Sequence, residues 1–267
     1  MARKLRLDLH LLTKEGVNSR HQAQQLIRAG KVRTMNGEIL DKPGYEVYED
    51  LQLRIMPSPR FVSRGGEKLL AAFNNFSLKV DGRICLDGGI STGGFTDCLL
   101  QHGASRIYGI DVGYGQTAWS LRNNSKVVLK ERTNLRHLTP ELLYQPQDIW
   151  PNFAVADLSF ISLKMVIPAI TSLLHKEDRE ALLLVKPQFE VGRNRVGKGG
   201  VVREVNAHVD ALKGVMEASI SEGWELQGLI PSPITGPAGN HEYLLWLGLQ
   251  KKKEFPVLKT LVENTLN

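Results

Sequence analysis

The chain has 267 residues, 42% of them hydrophobic and 23% charged, a composition typical of a globular protein with enough core for one or two domains. No apolar run approaches the ~18 residues that a membrane span needs, and the apolar stretch within residues 1–14 is too short for a signal peptide. The two cysteines, Cys85 and Cys98, form no C-x-x-C pair and the histidines are scattered. We therefore expect no metal site, no membrane association and a location in the reducing cytoplasm.

The formal net charge of +6 is concentrated at one end of the chain. Residues 1–33 contain eight Lys or Arg residues and two acidic ones, whereas the remainder has equal numbers of both kinds. A solvated basic face would explain such a segment, but the concentration of the entire net charge favours contact with nucleic-acid phosphates. The residues that we expect to make these contacts are Arg3, Lys4, Arg6, Arg20, Arg28, Lys31 and Arg33.

This basic end predicts a small α+β domain spanning residues 1–58. The segment "NSRHQAQQLIRAGKV" reads as a helix that is capped by Asn18 or Ser19, carries an apolar stripe and ends at Gly30. After it, "KVRTM" and "EIL" flank Asn36-Gly37, a strong hairpin signal. The pattern SR-x-x-A-x-x-L-I-x-x-G-x-V resembles the S4 RNA-binding domain, which implies structured RNA as the partner.

The larger part of the chain follows "PSPR" at 57–60, a predicted hinge, with a linker at 59–63, a domain at 64–250 and a tail at 251–267. Strands and helices alternate in it, which predicts an α/β fold with a mostly parallel, seven-stranded sheet and a final antiparallel pair. The predicted strands are 83–87, 106–112, 126–130, 153–158, 180–186, 224–230 and 242–249. The predicted helices are 94–102, 115–122, 163–174 and 206–222.

A glycine-rich loop, "DGGISTGGFTDC" at 87–98, follows the first of these strands. It lacks the lysine of a nucleoside triphosphate loop and the G-x-G-x-x-G spacing of a dinucleotide site, although "GYGQTA" at 113–118 is a weak match to the latter. Asp111, which ends the second strand, can accept hydrogen bonds from both hydroxyls of a ribose. The pattern favours S-adenosyl-L-methionine as cofactor and leaves NAD as the alternative.

Charged residues lie where three other strands meet the edge of the predicted sheet. Asp157 follows "FAVA", Lys186 follows "ALLLV" and Glu242 begins "EYLLWL". Solvation at exposed strand ends would account for one such charge, but three of them beside apolar sequence favour a binding or catalytic site.

Six motifs in order carry a closer resemblance. They are "SRGGEKL" (63–69), "LDGGISTGGFTDCLL" (86–100), "GIDVGYGQ" (109–116), "ADLSFISL" (156–163), "LLVKPQFE" (183–190) and "SPITGPAGNHEYLL" (232–245). This chain resembles the TlyA family, whose members join an S4 domain to a Rossmann-like class I methyltransferase domain of the FtsJ type. One departure is Ile90, where many members have alanine, and we expect it to alter packing under the cofactor.

The resemblance implies 2′-O-methylation of ribosomal RNA in one or both ribosomal subunits by a tetrad of Lys68, Asp157, Lys186 and Glu242. A ribose hydroxyl is a weak nucleophile near neutral pH, and a lysine can take its proton only when that lysine is uncharged. We expect Lys186 to be this base and the two acidic residues to balance and hold the two amines. Much of the acceleration can come from alignment, which contributes ~7 to 11 kcal/mol in well-oriented reactions.

The resemblance also implies a set of cofactor contacts. They are Gly88, Ser91, Thr92, Gly93, Phe95, Asp111 and Asn134, the last beside the adenine. Phe95 has an alternative place in the helix core. A basic, glycine-rich loop at 190–204 either clamps RNA or is a solvated loop.

Two other functions stay open at this point. TlyA proteins are often named haemolysins, which makes a membrane-active protein the first alternative. The second is an RNA-binding protein with an inactive methyltransferase domain. The sequence does not determine an oligomeric state.

Overall fold

The computed structural model describes residues 3–57, 59–250 and 255–267, which fall into two units, Met1–Arg60 and Phe61–Asn267. Residue 58 of the predicted hinge at 57–60 and residues 251–254 of the predicted tail lie outside the described residues.

The first unit is organised around the predicted basic helix. Its elements are β1 (Lys4–Arg6), α1 (Leu7–His10), α2 (Arg20–Arg28), β2 (Val32–Thr34), β3 (Glu46–Tyr48) and β4 (Leu53–Ile55), with a 3-10 turn at Leu11–Thr13. Ser19 caps α2, since its hydroxyl oxygen accepts a hydrogen bond from the Gln22 backbone N–H at 3.1 Å. Ala23 and Ile27 of α2 are fully buried, as the apolar stripe predicts.

The strands of this unit pair differently from a simple hairpin. β1 pairs with β3 and β2 with β4, both antiparallel. The turn at Asn36-Gly37 is present, but it is closed by a single bridge between Arg33 and Ile39. β4, more than 15 residues further along, completes the pairing of β2, so "EIL" forms less of a strand than the sequence predicts.

The second unit contains the predicted parallel sheet. Its strands are β5 (Ile84–Gly88), β6 (Arg106–Ile110), β7 (Val127–Lys130), β8 (Phe153–Ala156), β9 (Glu180–Val185), β10 (Glu225–Pro231) and β11 (Tyr243–Gly248), in the order β10-β11-β9-β8-β5-β6-β7. Strands β5 to β9 run parallel to one another, and β11 is antiparallel to both β9 and β10. The predicted fold class, a mostly parallel seven-stranded sheet with a final antiparallel pair, is confirmed.

Helices cover this sheet. They are α3 (Gly65–Phe76), α4 (Gly94–Gln101), α5 (Trp119–Arg122), α6 (Pro140–Leu143), α7 (Ile167–Ser172), α8 (Pro187–Glu190), α9 (Val205–Ser221) and α10 (Leu258–Leu266). Short 3-10 turns occur at Leu135–His137, Leu163–Met165, Arg193–Arg195 and Lys198–Gly200. α5 is shorter than its predicted range, 115–122, because residues 113–118 form a loop in which Gly115 has a left-handed φ of +74°.

The packing of the second unit extends beyond its predicted limits. Phe61, in the predicted linker, is 3% exposed and its ring lies against Gly66, where a β-carbon would approach within 2.2 Å. At the other end α10 packs on α9 and buries Val262 completely. Side chains outside the predicted domain limits thus contribute to both hydrophobic clusters of this unit, Phe61 to one and Val262 to the other.

The register of the sheet determines which residues emerge together at its edge. Gly88 lies beside Ala156, so the residues that follow β5 and β8 are neighbours. Tyr243 lies opposite Val185, so Glu242, just before β11, faces Lys186, just after β9. This antiparallel pairing brings the beginning of the last strand to the carboxyl ends of the parallel strands.

A buried carboxyl lies at the same edge. Asp87, in β5, is 0% exposed, and one of its oxygens accepts a hydrogen bond of 2.6 Å from the Thr96 hydroxyl in α4. Burial raises the pKa of Asp87 to about 7, and the hydrogen bond from Thr96 opposes this rise.

We expect Asp87→Asn to flatten the pH dependence of stability. The folded chain holds this proton up to about pH 7, whereas the unfolded chain releases it near its ordinary pKa of about 3.9. The stabilisation that comes from this difference in pKa is complete below the pKa of Asp87 in the unfolded chain, and it is lost as the pH rises through about 7. Between pH 5 and pH 8, the Tm of the wild type should fall further than that of the variant, and equal decreases would contradict this assignment.

Candidate active site

Two adjoining cavities open at the carboxyl edge of the sheet. The smaller, of about 300 Å³, contains Lys68, Lys186 and Glu242 in its wall, and the larger, of about 550 Å³, contains Asp111. Both volumes are in the range of small-molecule sites. The residues in the walls of both cavities are Gly89, Ser91, Asp157 and Ser159. A group bound in one cavity therefore shares a boundary with a group bound in the other.

The four predicted catalytic residues come together as two ion pairs. Lys68 Nζ lies 2.6 Å from Glu242 Oε2, and Lys186 Nζ lies 2.6 Å from Asp157 Oδ1. Lys68, Lys186 and Glu242 are each less than 9% exposed. Burial of this kind favours paired charges, since an unpaired charge would lose its hydration without compensation. The cluster therefore has equal numbers of positive and negative groups.

The segment before β11 holds Glu242 closely. The Glu242 carbonyl accepts a hydrogen bond of 2.8 Å from the Ser232 N–H, and its carboxylate lies against Gly236. A β-carbon at Gly236 would lie 2.7 Å from Glu242 Oε1, so a larger residue there would displace the carboxylate.

Lys186 has a second partner that the sequence reasoning did not identify. Its ammonium donates a hydrogen bond of 2.9 Å to Ser159 Oγ, in the loop after Asp157. An ammonium has three donors, and Asp157 and Ser159 occupy two directions around the nitrogen. The position of Ser159, two residues after a charged strand end, is the signal that could have revealed it.

The glycine-rich loop owes its composition to close packing as well as to its ligand. Gly89 has a φ of +84°, and a β-carbon there would lie 2.7 Å from the Asp157 carbonyl oxygen. Gly93 has a φ of +101°, and a β-carbon there would lie 2.2 Å from the Leu121 side chain. The left-handed backbone and the lack of space both require glycine at these two positions. The loop can thus approach β8 and lie close to both cavities.

Asp111 joins the loop to the larger cavity. One of its carboxylate oxygens accepts a hydrogen bond from the Ser91 N–H and the other from the Gly113 N–H, each at 2.7 Å. A carboxylate has about four acceptor positions, so it can also accept hydrogen bonds from a bound diol. The two backbone bonds set the direction of the carboxylate before a ligand arrives.

The other predicted cofactor residues divide between the cavities and the core. Ser91 and Asn134 line the larger cavity, and Thr92 and Phe95 line the smaller one. Phe95 is also 3% exposed within the core, so both interpretations of this residue describe its environment. Gly88 and Gly93 pack against leucine side chains next to the cavities. Their assigned contacts stay predictions.

Ile90, the departure from the family pattern, packs against β6. Its terminal methyl would be 2.6 Å from a β-carbon at Gly109, so the glycine in β6 leaves the room that the larger side chain needs. Ile90 also lines the smaller cavity, and the expectation that it alters packing under the cofactor rather than chemistry stays a prediction.

An exposed aromatic residue marks the entrance of the larger cavity. Phe160 is 92% exposed, lines this cavity and has a left-handed φ of 64°. Its ring centroid lies 5.2 Å from that of Phe189. Such backbone strain costs about 1 to 3 kcal/mol and is characteristic of functional sites. The sequence does not predict that Phe160 is exposed at a cavity, because an aromatic residue beside a strand is more often part of the core.

The basic residues of the first unit differ in how they are held. Arg6, Arg20 and Gln24 donate hydrogen bonds of 2.9 to 3.0 Å to the buried carboxylate of Asp8. The Arg6 guanidinium, with help from Arg20 and Gln24, holds the pKa of Asp8 well below its usual range. Arg6 and Arg20, which are both predicted to contact RNA, are therefore engaged in this internal network.

The other residues that are predicted to contact RNA lie in different environments. Lys4 lies over the Tyr48 ring, 5.1 Å from its centroid, and Arg3 and Arg28 are exposed. Lys31 and Arg33 are half-buried. The role of all seven residues in RNA binding stays a prediction.

Within residues 3–57, 59–250 and 255–267, no group of His, Cys, Asp and Glu side chains could hold a metal ion. No helix in those ranges has both the length and the apolar character needed to cross a membrane.

The chain matches two families of known proteins. Residues 61–249 match the FtsJ-like methyltransferases, and residues 5–52 match the S4 domain. Fold and sequence thus define an FtsJ-like methyltransferase that also carries an S4 domain. A "16S/23S rRNA (cytidine-2'-O)-methyltransferase TlyA" of Mycobacterium tuberculosis is 46% identical over 94% of this chain and 92% of its own length. This chain belongs to the TlyA family.

Other relatives carry a different name. The Hemolysin A of Brachyspira hyodysenteriae is 38% identical over 90% of this chain and 98% of its own length. The solved structure of a proposed hemolysin from Streptococcus thermophilus matches with a TM-score of 0.72 and 36% identity, covering 99% of this chain and 96% of that one.

We expect the Lys68–Glu242 pair to matter to stability as a pair. Lys68→Met leaves a buried carboxylate without its cation and should lower the free energy of unfolding by about 3 to 5 kcal/mol. The double variant Lys68→Met/Glu242→Leu should be more stable than Lys68→Met, because it leaves neither charge unpaired. Urea denaturation of the two single variants, Lys68→Met and Glu242→Leu, and of the double variant measures each loss of stability. A double variant whose loss equals the sum of the two single losses would contradict the coupling.

Proposed function

We propose that this protein is an S-adenosyl-L-methionine-dependent methyltransferase that acts on ribose 2′-hydroxyls of ribosomal RNA within ribosomal subunits. The observation that carries the proposal is the charge-balanced cluster of two lysines and two carboxylates in the smaller cavity, three of whose members are buried. The smaller cavity shares wall residues with the larger cavity, whose volume suits a nucleoside. The relatives that are named rRNA methyltransferases support the choice of RNA as acceptor.

The larger cavity fits the cofactor by the chemistry of its walls. Asp111 offers carboxylate oxygens to ribose hydroxyls, while Ile110, Leu135 and Val166 offer apolar contacts to an adenine. Asn134 lies in the same wall, where its side-chain oxygen accepts a hydrogen bond from the Arg136 N–H. When bound, S-adenosyl-L-methionine supplies an electrophilic methyl group on a sulfonium.

The smaller cavity can orient a hydroxyl and take its proton. In the proposed mechanism the Lys186 ammonium gives up a proton to solvent before RNA binds, and the resulting amine removes the proton from the ribose 2′-oxygen. The Asp157 carboxylate, 2.6 Å from Lys186 Nζ, stabilises the ammonium that forms. Ser159 fixes the direction of the lysine nitrogen, and the Lys68–Glu242 pair lines the same cavity. The four residues thus align the hydroxyl and exclude water from it.

Two surfaces suit an RNA acceptor. The exposed Phe160 ring offers a stacking face for a nucleobase at the entrance of the larger cavity. The first unit offers the basic surface whose phosphate contacts would position RNA without reading its sequence. An enzyme that modifies ribosomal RNA would work in the cytoplasm.

The decisive experiment is methyl transfer by the wild type and by Lys186→Met. With tritiated S-adenosyl-L-methionine and ribosomal subunits from cells lacking this gene, we expect the wild type to label RNA. Lys186→Met should reduce the rate at least about a hundredfold, the usual scale for a lost general base. Mapping of the label should place it on ribose 2′-oxygens.

The same preparation separates the alternatives. A wild type that lyses red cells and transfers no methyl group would support the haemolysin interpretation. A wild type that binds subunits without methylating them would indicate an inactive methyltransferase domain. Lys186→Met should bind the subunits as the wild type does, and unchanged methylation would remove Lys186 from the mechanism.

We expect Asp111→Asn to weaken cofactor binding by about tenfold, a loss of roughly 1.4 kcal/mol. The amide keeps one acceptor oxygen but loses the charge that strengthens hydrogen bonds from the ribose hydroxyls. Isothermal titration with S-adenosyl-L-methionine measures the change. Unaltered affinity would show that Asp111 makes no direct contact with the cofactor.

A further inference from the structure

The basic loop 192–203 lies between β9, which precedes Lys186, and α9. Arg193, Lys198 and Arg203 are exposed, whereas Arg195 forms an ion pair with Asp210 at 2.7 Å. Gly199 and Gly200 both have a φ of +76°, with nothing within 4 Å of where a β-carbon would stand. The loop therefore combines exposed cations with backbone that another molecule can approach closely.

One end of this loop is bonded to a buried asparagine. Asn240 is 2% exposed, and its side-chain oxygen accepts a hydrogen bond of 3.0 Å from the Val202 N–H. Its amide group donates a hydrogen bond of 2.8 Å to the Gly200 carbonyl. Both polar ends of the side chain are thus used to hold the loop.

A second connection reaches the same end of the loop. The fully buried His208 is bonded through Nε2 to the Val202 carbonyl at 3.0 Å and through Nδ1 to the Tyr243 hydroxyl at 2.9 Å. A carbonyl can only accept, so Nε2 carries the proton and Nδ1 accepts from Tyr243. Burial lowers the pKa of His208, which agrees with this neutral form.

These two connections lie on either side of the catalytic carboxylate. Asn240 precedes Glu242 by two residues and Tyr243 follows it directly. The Asn240 carbonyl also accepts a hydrogen bond from the N–H of Gly236, the residue against which the Glu242 carboxylate packs. A displacement of the loop would therefore act on the segment that holds Glu242.

We propose that the loop 192–203 binds backbone phosphates of the acceptor RNA, and that Asn240 is the positioning residue that fixes this loop relative to Glu242. The proposal rests on the function proposed above and adds a second RNA contact, in the methyltransferase unit. Binding of a phosphate by the loop would be transmitted to the acceptor cavity through Asn240, because Ile234, Thr235 and Pro237, in the same segment, line that cavity.

The first test removes the charges of the loop. The variant Arg193→Ala/Lys198→Ala/Arg203→Ala is compared with Lys79→Ala/Lys126→Ala/Lys176→Ala, which removes as many exposed cations just before strands β5, β7 and β9, at the opposite edge of the sheet. Affinity for ribosomal subunits from cells lacking this gene is measured by filter binding at several salt concentrations.

We expect the loop variant to bind about tenfold more weakly and to lose about one unit of salt dependence for each phosphate contact. The control should retain wild-type affinity and salt dependence. Equal behaviour of the two variants would overturn the proposal.

The second test concerns Asn240→Asp, which keeps an acceptor for Val202 but cannot donate to the Gly200 carbonyl. We expect weaker binding of subunits and a lower kcat at saturating RNA, with unchanged affinity for S-adenosyl-L-methionine as evidence of an intact fold. Adding the loop substitutions to Asn240→Asp should weaken binding less than they do in the wild type. Fully additive losses would show that Asn240 has only a structural role.

The two proposals can fail separately. If Asn240→Asp does not fold, the loop variant and its control still decide whether the loop binds RNA. A wild type that binds subunits through the loop but transfers no methyl group contradicts the proposed function alone. A wild type that methylates RNA while the loop variant binds normally contradicts the loop proposal alone.

Discussion

The pairing of two buried lysines with two carboxylates is the constraint on which the site depends. An ammonium taken out of water needs a carboxylate at contact distance, and the structure provides one for each, at 2.6 Å. The sheet supplies this match through its register: Asp157 and Lys186 directly follow β8 and β9, and Glu242 directly precedes antiparallel β11, which pairs with β9. Because the charges balance, the cavity can hold them without a net charge to solvate.

The arrangement also separates two tasks that a methyl transfer requires. Asp111 and the apolar side chains around it face one cavity, and the charged cluster faces the other, with Asp157 and Ser159 in the wall between them. Alignment of donor and acceptor then depends on the rigidity of that wall. The glycine-rich loop contributes to it, because Gly89 lets the loop lie directly against the Asp157 carbonyl.

Much of this could be predicted from the sequence, for identifiable physical reasons. Buried parallel strands leave continuous apolar runs, so the sheet and the charges at its edge, such as Lys186, were visible. Lys68 was not, because a lysine in a helix gives no sign of burial; it came from the family resemblance. Ser159 and Asn240 act through hydrogen bonds formed only in the fold, and the network around Asp8 joins residues up to 16 apart in sequence.

The position of β11 determines when the ion pair between Lys68 and Glu242 can form. Among the described residues β11 is the last strand along the sequence, but it is an interior strand of the sheet, between β9 and β10. The bond between Lys68 and Glu242 spans 174 residues. A nascent chain emerging from the ribosome therefore cannot form this ion pair until residue 242 has been synthesised and β11 has paired with β9, so the cluster of two lysines and two carboxylates is completed late in folding.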